Sequence, residues 1–475
     1  MTPNTEGQTM RLMFRSTRPG IAREGGSVHV EVTLDPGDRG GRPCERRHPL
    51  ALCLVFDRSG SMGSLAGGWE GDRGPYPYSS PQRSRRIDCL PPPDSGDLPP
   101  HGRTKMDYVK AAAHALVDNL RDGDKVALVS FSHTGRVEMP MTAVSAWSRQ
   151  RLHQTIACFR PEDSTNLYEG LVLGEREFGH AGQALPATHN CKIILLSDGL
   201  ANVGVTSTGG MTDFALAAQR SGITVSALGV GLDYDAEVMG TLAQCGGGRF
   251  HHIAEVYRLP EIVLAELESL AAVRARRVSL DVSAGPLVAI GENLNLYHQH
   301  PGPDGVRLDL GDLVGPKSVM FELSTPAGAT GEHVPVGAVC RWADERGRER
   351  QTSGVLALPL VSPEQAESLP VDTDLAEEVA RLLEARASRL ATGAYDAGDH
   401  ARTLESLQRG LAELACIEAS SPEVSPSAKA ARTRLEGLRG RLERREVDAA
   451  EAKRLYSEGF DTTSGSAQPR NARTG

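Results

Sequence analysis

Asp57, Ser59 and Ser61 alternate at the end of residues 50–62, LALCLVFDRSGSM, where seven apolar residues give way abruptly to an acid and two hydroxyls. A second acid, Asp198, follows the apolar run CKIILLS, and Thr165 stands in the polar turn DSTNLYEGL. Carboxylates and hydroxyls are hard oxygen donors, and two of the first with three of the second, drawn from three loops, suit a small octahedral cation that keeps some of its water. Magnesium is the expected occupant, with manganese or calcium as alternatives. A carboxylate from a partner would complete the shell.

Other chemistries find less support. An aspartyl-phosphate enzyme would use Asp57 as acceptor with magnesium, but it needs a second carboxylate two residues on, and Ser59 stands there. Neither serine lies in G-x-S-x-G, and the chain has no H-E-x-x-H and no G-x-x-x-x-G-K-[ST]. The glycines at 246–248 run into the strand-like RFHHI and not into a helix, so they read as a turn. His251 and His252 in that strand point to opposite faces and cannot share a metal. The bland alternative for Asp57, Ser59 and Ser61 is a helix N-cap or a turn that merely satisfies backbone donors, and for Thr165 a helix N-cap, since these roles use the same residue types.

The acids need elements that bring them to one edge. LALCLVF, KVALVSFS, CKIILLS and TVSALGVG are continuous apolar runs, as expected of parallel strands buried on both faces. Amphipathic segments such as MDYVKAAAHALVDNL and LPEIVLAELESLAAV separate or follow them. This predicts an α/β, doubly wound Rossmann-like domain over residues 50–273, with ligands beyond the carboxyl ends of its strands. Residues 63–103 interrupt it with eight prolines and seven glycines, a long loop between the first strand and its helix that carries Trp69, Tyr76 and Tyr78.

On these residues the chain resembles the von Willebrand factor A family. Asp57-Arg58-Ser59-Gly60-Ser61 matches its D-x-S-x-S signature, Thr165 its single threonine and Asp198 its second acid. The phrases LRDGDKVALVSFS and ILLSDGLANVG are similar to bacterial relatives of the calcium-activated chloride channel regulator and inter-alpha-trypsin inhibitor branch. The resemblance implies a metal-ion-dependent adhesion site, with Ser59, Ser61 and Thr165 touching the metal and Asp57 and Asp198 acting largely through water. It also implies a non-enzymatic, metal-mediated protein-binding role, in company with chaperone-like ATPases or signalling proteins.

Around the α/β segment, residues 10–49 and 274–360 alternate with period two between Gly, Pro and Asp, which predicts one β-sandwich built from both flanks. Residues 374–459 read as a helical bundle of three helices, and 460–475 as a disordered tail of small polar residues. A formal charge of -9 excludes a phosphate-gripping nucleic-acid protein. No run approaches the roughly 18 apolar residues of a membrane span. The eight cysteines are scattered, without a CxxC pair, and read as small core residues of a cytoplasmic protein. A metal-independent scaffold is the remaining alternative function.

Overall fold

The chain opens with strands whose partners lie far downstream: β1 (Arg11–Ser16), β2 (Ile21–Ala22) and β3 (Ser27–Asp35). The computed structural model describes residues 10–37, 48–66, 103–162, 164–182, 185–285, 288–302, 304–325, 332–344, 347–420 and 424–465. The α/β segment follows as β4 (Leu50–Asp57), α1 (Lys105–Asn119), β5 (Lys125–Phe131), β6 (Gly135–Ala143), α2 (Ala146–Ala157), α3 (Leu167–His180) and the single turn α4 (Leu185–Thr188). It continues with β7 (Asn190–Ser197), α5 (Thr208–Arg220), β8 (Ile223–Val230), α6 (Ala236–Cys245), β9 (Gly247–Ile253) and α7 (Leu259–Ala271).

The strand order of this sheet is β6-β5-β4-β7-β8-β9, all parallel except the edge strand β6. Alternate residues of β4 serve different cores. Ala51, Cys53 and Val55 pack with α3, α5 and α6, while Leu52, Leu54 and Phe56 pack with α1, α2 and α7. Burial on both faces is why β4, β7 and β8, buried at every position, are largely apolar. Strand order reverses between β4 and β7, so the crevice at their carboxyl ends is the topological switch point of the sheet.

Seven strands return after α7: β10 (Ala275–Ala284), β11 (Ala289–Asn293), β12 (Gln299–Gly302), β13 (Gly305–Leu313), β14 (Lys317–Ser324), β15 (His333–Ala343) and β16 (Glu349–Val361). They form two sheets with the opening strands, in the orders β1-β3-β14-β11 and β12-β13-β10-β15-β16-β2. Val30, Val32 and Leu34 from the first sheet share one core with Leu280, Leu308 and Cys340 from the second. The period-two alternation of both flanks thus buries one face of each sheet against the other.

The remainder is helical: α8 (Pro363–Ser368), α9 (Thr373–Asp396), α10 (His400–Ser420), α11 (Ser425–Glu443) and α12 (Ala449–Thr463). Two expectations are corrected here. The third predicted helix is two, parted by Arg445 in the left-handed region and restarted by Asp448, whose side chain caps the Glu451 N–H. Residues 460–463, expected in the tail, are the last turn of α12, and Phe460 and Thr463 are fully buried.

The reason is tertiary. Phe460 and Tyr456 meet the ring of Phe250 edge to face at 5.6 and 5.7 Å, and the Arg389 guanidinium lies over both. Asn295 donates to the Thr463 carbonyl and Tyr297 to that of Ser464, so a loop of the β region closes the helix end. Residues 466–475 lie outside the described residues. Cys53, Cys191, Cys245 and Cys340 are buried as expected, whereas Cys158 and Cys416 are exposed on amphipathic elements; Cys44 and Cys89 lie outside the described residues.

Two outcomes follow from this packing. Phe460→Ala lowers stability by about 3–5 kcal/mol in chemical denaturation, the cost of emptying a large aromatic site, whereas removal of a disordered tail residue would cost nothing. Burial, aided by the Arg386 charge, holds His29 on β3 down at about 4. The unfolded chain then binds its proton first, and stability falls as pH drops from about 6.5 toward 4, by roughly 3 kcal/mol for this group. Urea titrations at pH 7 and pH 4.5 are expected to show His29→Gln losing less stability over that interval than the wild type.

Candidate functional site

Strand register sets the geometry. Phe56 lies opposite Leu196 and Asp57 opposite Phe131, so Asp57 and the Ser197–Asp198 pair leave the same edge of the sheet on neighbouring strands. Beyond Asp57 the chain turns through a single 3-10 turn, Gly60–Gly63, anchored by Met62 in the core beneath α1. Burial of such a side chain contributes about 1.5–3 kcal/mol, and here it also sets the direction of the two serines.

Asp57 and Asp198 are fully buried, Ser59 and Thr165 nearly so, and Ser61 lies at the mouth. One Asp57 oxygen accepts the Ser59 N–H at 2.7 Å and the other accepts the Ser197 hydroxyl at 2.5 Å. The Ser59 and Ser61 hydroxyls lie 3.0 Å apart. Ser61 donates to Asp198 Oδ1 at 2.7 Å, and Ser59 approaches the same atom at 3.4 Å. Burial pushes the Asp57 carboxyl up to about 6, against the hydrogen bonds from Ser197 and Ser59, and the Asp198 charge adds to the rise.

Thr165 reaches the same place from a third loop. Ser164 before it has φ of 71°, a left-handed conformation that strains a non-glycine residue. Asn202 holds the loop by accepting the Thr165 N–H at 2.8 Å and returning its own N–H to the Thr165 carbonyl at 3.1 Å. Arg58 bridges Glu162 at 2.5 Å and Glu138 at 3.3 Å, which ties this loop to the end of β4.

Asp57 does satisfy a backbone donor of its turn, the Ser59 N–H, but helix capping does not account for Ser59 or Thr165. Asn166, not Thr165, caps α3 by accepting the Glu169 N–H, and Ser59 makes no capping bond to its turn. Among the described residues the Thr165 hydroxyl has no hydrogen-bond partner. The three hydroxyls instead surround one point. A Cβ built on Gly199 would stand 3.2 Å from Thr165 Oγ1, 3.5 Å from Ser59 Oγ and 3.6 Å from Ser61 Oγ. Three hydroxyl oxygens around a common centre, with two buried carboxylates behind them, fit a divalent cation.

Sequence reasoning missed the third charge of the site. Lys105, the first residue of α1, is 6% exposed and donates to Asp198 Oδ2 at 2.9 Å and to Asp233 Oδ2 at 3.0 Å. Burial disfavours its charge, but the charge and hydrogen bond of Asp198, with those of Asp233, outweigh that and hold the ammonium above its ordinary range. A lone lysine on a polar helix start carries no signal in sequence. Its helix is held beside the serines across the insertion, because the Lys105 N–H donates to the Ser64 carbonyl and Leu65 pairs with Thr104. Trp69, Tyr76 and Tyr78 lie outside the described residues. His251 and His252 part as expected, one toward Glu266 at 3.3 Å and the other onto the Tyr234 hydroxyl at 2.6 Å.

Comparison with known proteins agrees with this architecture. The family model of the von Willebrand factor type A domain matches residues 95–264, a span that holds Thr165 and Asp198 and begins inside the insertion, beyond β4. The Escherichia coli (strain K12) protein YfbK is 25% identical over 229 residues, 46% of this chain, and the match spans only 39% of the length of YfbK. The solved structure of a von Willebrand factor type A protein from Catenulispora acidiphila superposes with a TM-score of 0.65 over 96% of this chain and 98% of its own, at 16% identity. That of the ArnB paralog VWA2 from Sulfolobus acidocaldarius does so with a TM-score of 0.57 over 97% and 100%, at 14% identity. Both likenesses extend through the flanking sheets and the helices. By fold and by family match, this chain carries a von Willebrand factor type A domain, a module that often mediates protein–protein interaction.

Proposed function

We propose that this chain is a non-enzymatic interaction protein whose α/β domain binds a partner protein's Asp or Glu through a magnesium ion at Asp57, Ser59, Ser61, Thr165 and Asp198. The observation that carries this reading is the convergence of three hydroxyls on one point in front of two buried carboxylates at the switch point of the sheet. A divalent ion there supplies an electrophilic position for an anionic oxygen. Ser59, Ser61 and Thr165 offer it neutral donors, which leave more of its charge for a partner than carboxylates would. Asp57 and Asp198, both engaged by hydroxyl donors, are suited to hold water or hydroxyl protons around it.

The phosphoryl-transfer alternative is disfavoured by the surroundings of Asp57, whose two oxygens are already hydrogen-bonded at a position without solvent exposure. A nucleophile needs a free lone pair facing its substrate. The buried thiols of Cys53, Cys191, Cys245 and Cys340 suit a reducing, cytoplasmic setting. No helix of the described residues is long and apolar enough to cross a membrane.

Magnesium or manganese at a hundredfold excess over its dissociation constant is expected to stabilise the wild type by about 2.7 kcal/mol in thermal or calorimetric unfolding, and Asp57→Ala to lose the effect. A wild type that no divalent ion stabilises would return the reading to a metal-free scaffold. Gly199→Ala places a methyl at the point the hydroxyls surround; it is expected to abolish metal binding in calorimetric titration while the metal-free protein keeps its unfolding temperature within a few degrees, a shift of about 1 kcal/mol or less.

A further inference from the structure

The site holds a fixed cation as well as fixed anions. Lys105 reaches it along a path built for its length. The stem passes Gly231, at φ of 79°, where a Cβ would come within 3.1 Å of both Lys105 Cε and Nζ. The Lys105 N–H is tied to Ser64 at the end of the serine turn. The turn after β8 thus leaves the space, α1 supplies the side chain, and the residue after β7 supplies the carboxylate it meets, so ammonium and serines are positioned together.

The presence of Lys105 changes the charge balance. Asp57 and Asp198 contribute two negative charges and Lys105 one positive; Asp233 is 68% exposed and screened by water. Two acids alone would neutralise a divalent ion and leave an arriving carboxylate only its polarity to gain. Resting on the metal reading above, we infer that Lys105 is a charge-setting residue of the site, which keeps the metal-loaded site one unit positive and so makes it select an anionic partner group. The same charge weakens the hold on the metal, because cation and ion repel across Asp198. Lys105 therefore exchanges metal affinity for carboxylate affinity, two effects of opposite sign from one side chain.

The test uses the full chain with manganese alone as the first probe and acetate as the second. Free manganese is followed by electron paramagnetic resonance, and acetate binding to the manganese-loaded protein by water-proton relaxation. Lys105→Met is expected to bind manganese about tenfold more tightly and to lose about tenfold in acetate affinity, as one unit charge a few ångströms away in a partly solvated site would produce. Lys105→Arg, which keeps the charge, is expected to stay within about threefold of wild type in both. Loss of structure in Lys105→Met would weaken both ligands together. In that event the exposed Asp233→Asn carries the test, with manganese loosened and acetate tightened by about twofold to threefold. The inference is overturned if wild type binds manganese and the folded Lys105→Met binds it no tighter or keeps its acetate affinity, or if Asp233→Asn shifts neither ligand or shifts them the other way. A wild type that binds no manganese overturns the metal reading itself, and the two failures are told apart by that first titration.

Discussion

Two carboxylates are buried side by side at the ends of the central strands, and the arrangement around them answers the cost of keeping charge out of water. Asp57 receives an N–H and a hydroxyl; Asp198 receives the serine turn on one oxygen and the Lys105 ammonium on the other. An acid with such partners is held in one rotamer, and so are its partners. The same bonds that relieve the desolvation also aim Ser59 and Ser61 inward, while Thr165 is delivered by a backbone that Asn202 and Arg58 clamp.

The fold meets this need through topology. Parallel strands on either side of a reversal in order leave a crevice that no crossover helix covers, and β4 and β7 are the two strands that flank it. An insertion placed between β4 and α1 can be accommodated because its two ends are pinned at a neck, Ala66 to Arg103 and Leu65 to Thr104. The serine turn and Lys105 consequently keep their relation although 43 positions separate Met62 from Lys105 in the chain.

The helices beyond residue 373 are not an appendage. Leu294 and Met320 from the β region enter the core of α9 to α12, and α12 carries Tyr456 and Phe460 into the core of the α/β domain. One helix thus joins three layers, and the electrostatic pairs along it, such as Arg389 over two aromatic rings, lie where the layers meet. The helices thus brace the sheet along its β9 edge.

Much of this was legible in the residues. Runs rich in Val, Ile and Leu identify β4, β5, β7 and β8 because burial on both faces leaves little room for polar side chains, and the abrupt change to Asp57 and Asp198 marks where two of these strands leave the core. Period two in the flanks and helical period beyond residue 373 have the same local origin. What local pattern could not carry was any pairing that depends on distance in the chain. Phe460 sits among small polar residues and is ordered because Phe250 and Arg389 reach its ring and Asn295 holds the helix end at Thr463. The convergence of three hydroxyls depends on register between β4 and β7, and the charge of Lys105 enters through a gap left by Gly231 just beyond β8. Residue type determined which atoms were available for chemistry; long-range packing alone decided which of them share a centre, since hydrogen bonding and charge act across space and leave no periodic trace along the chain.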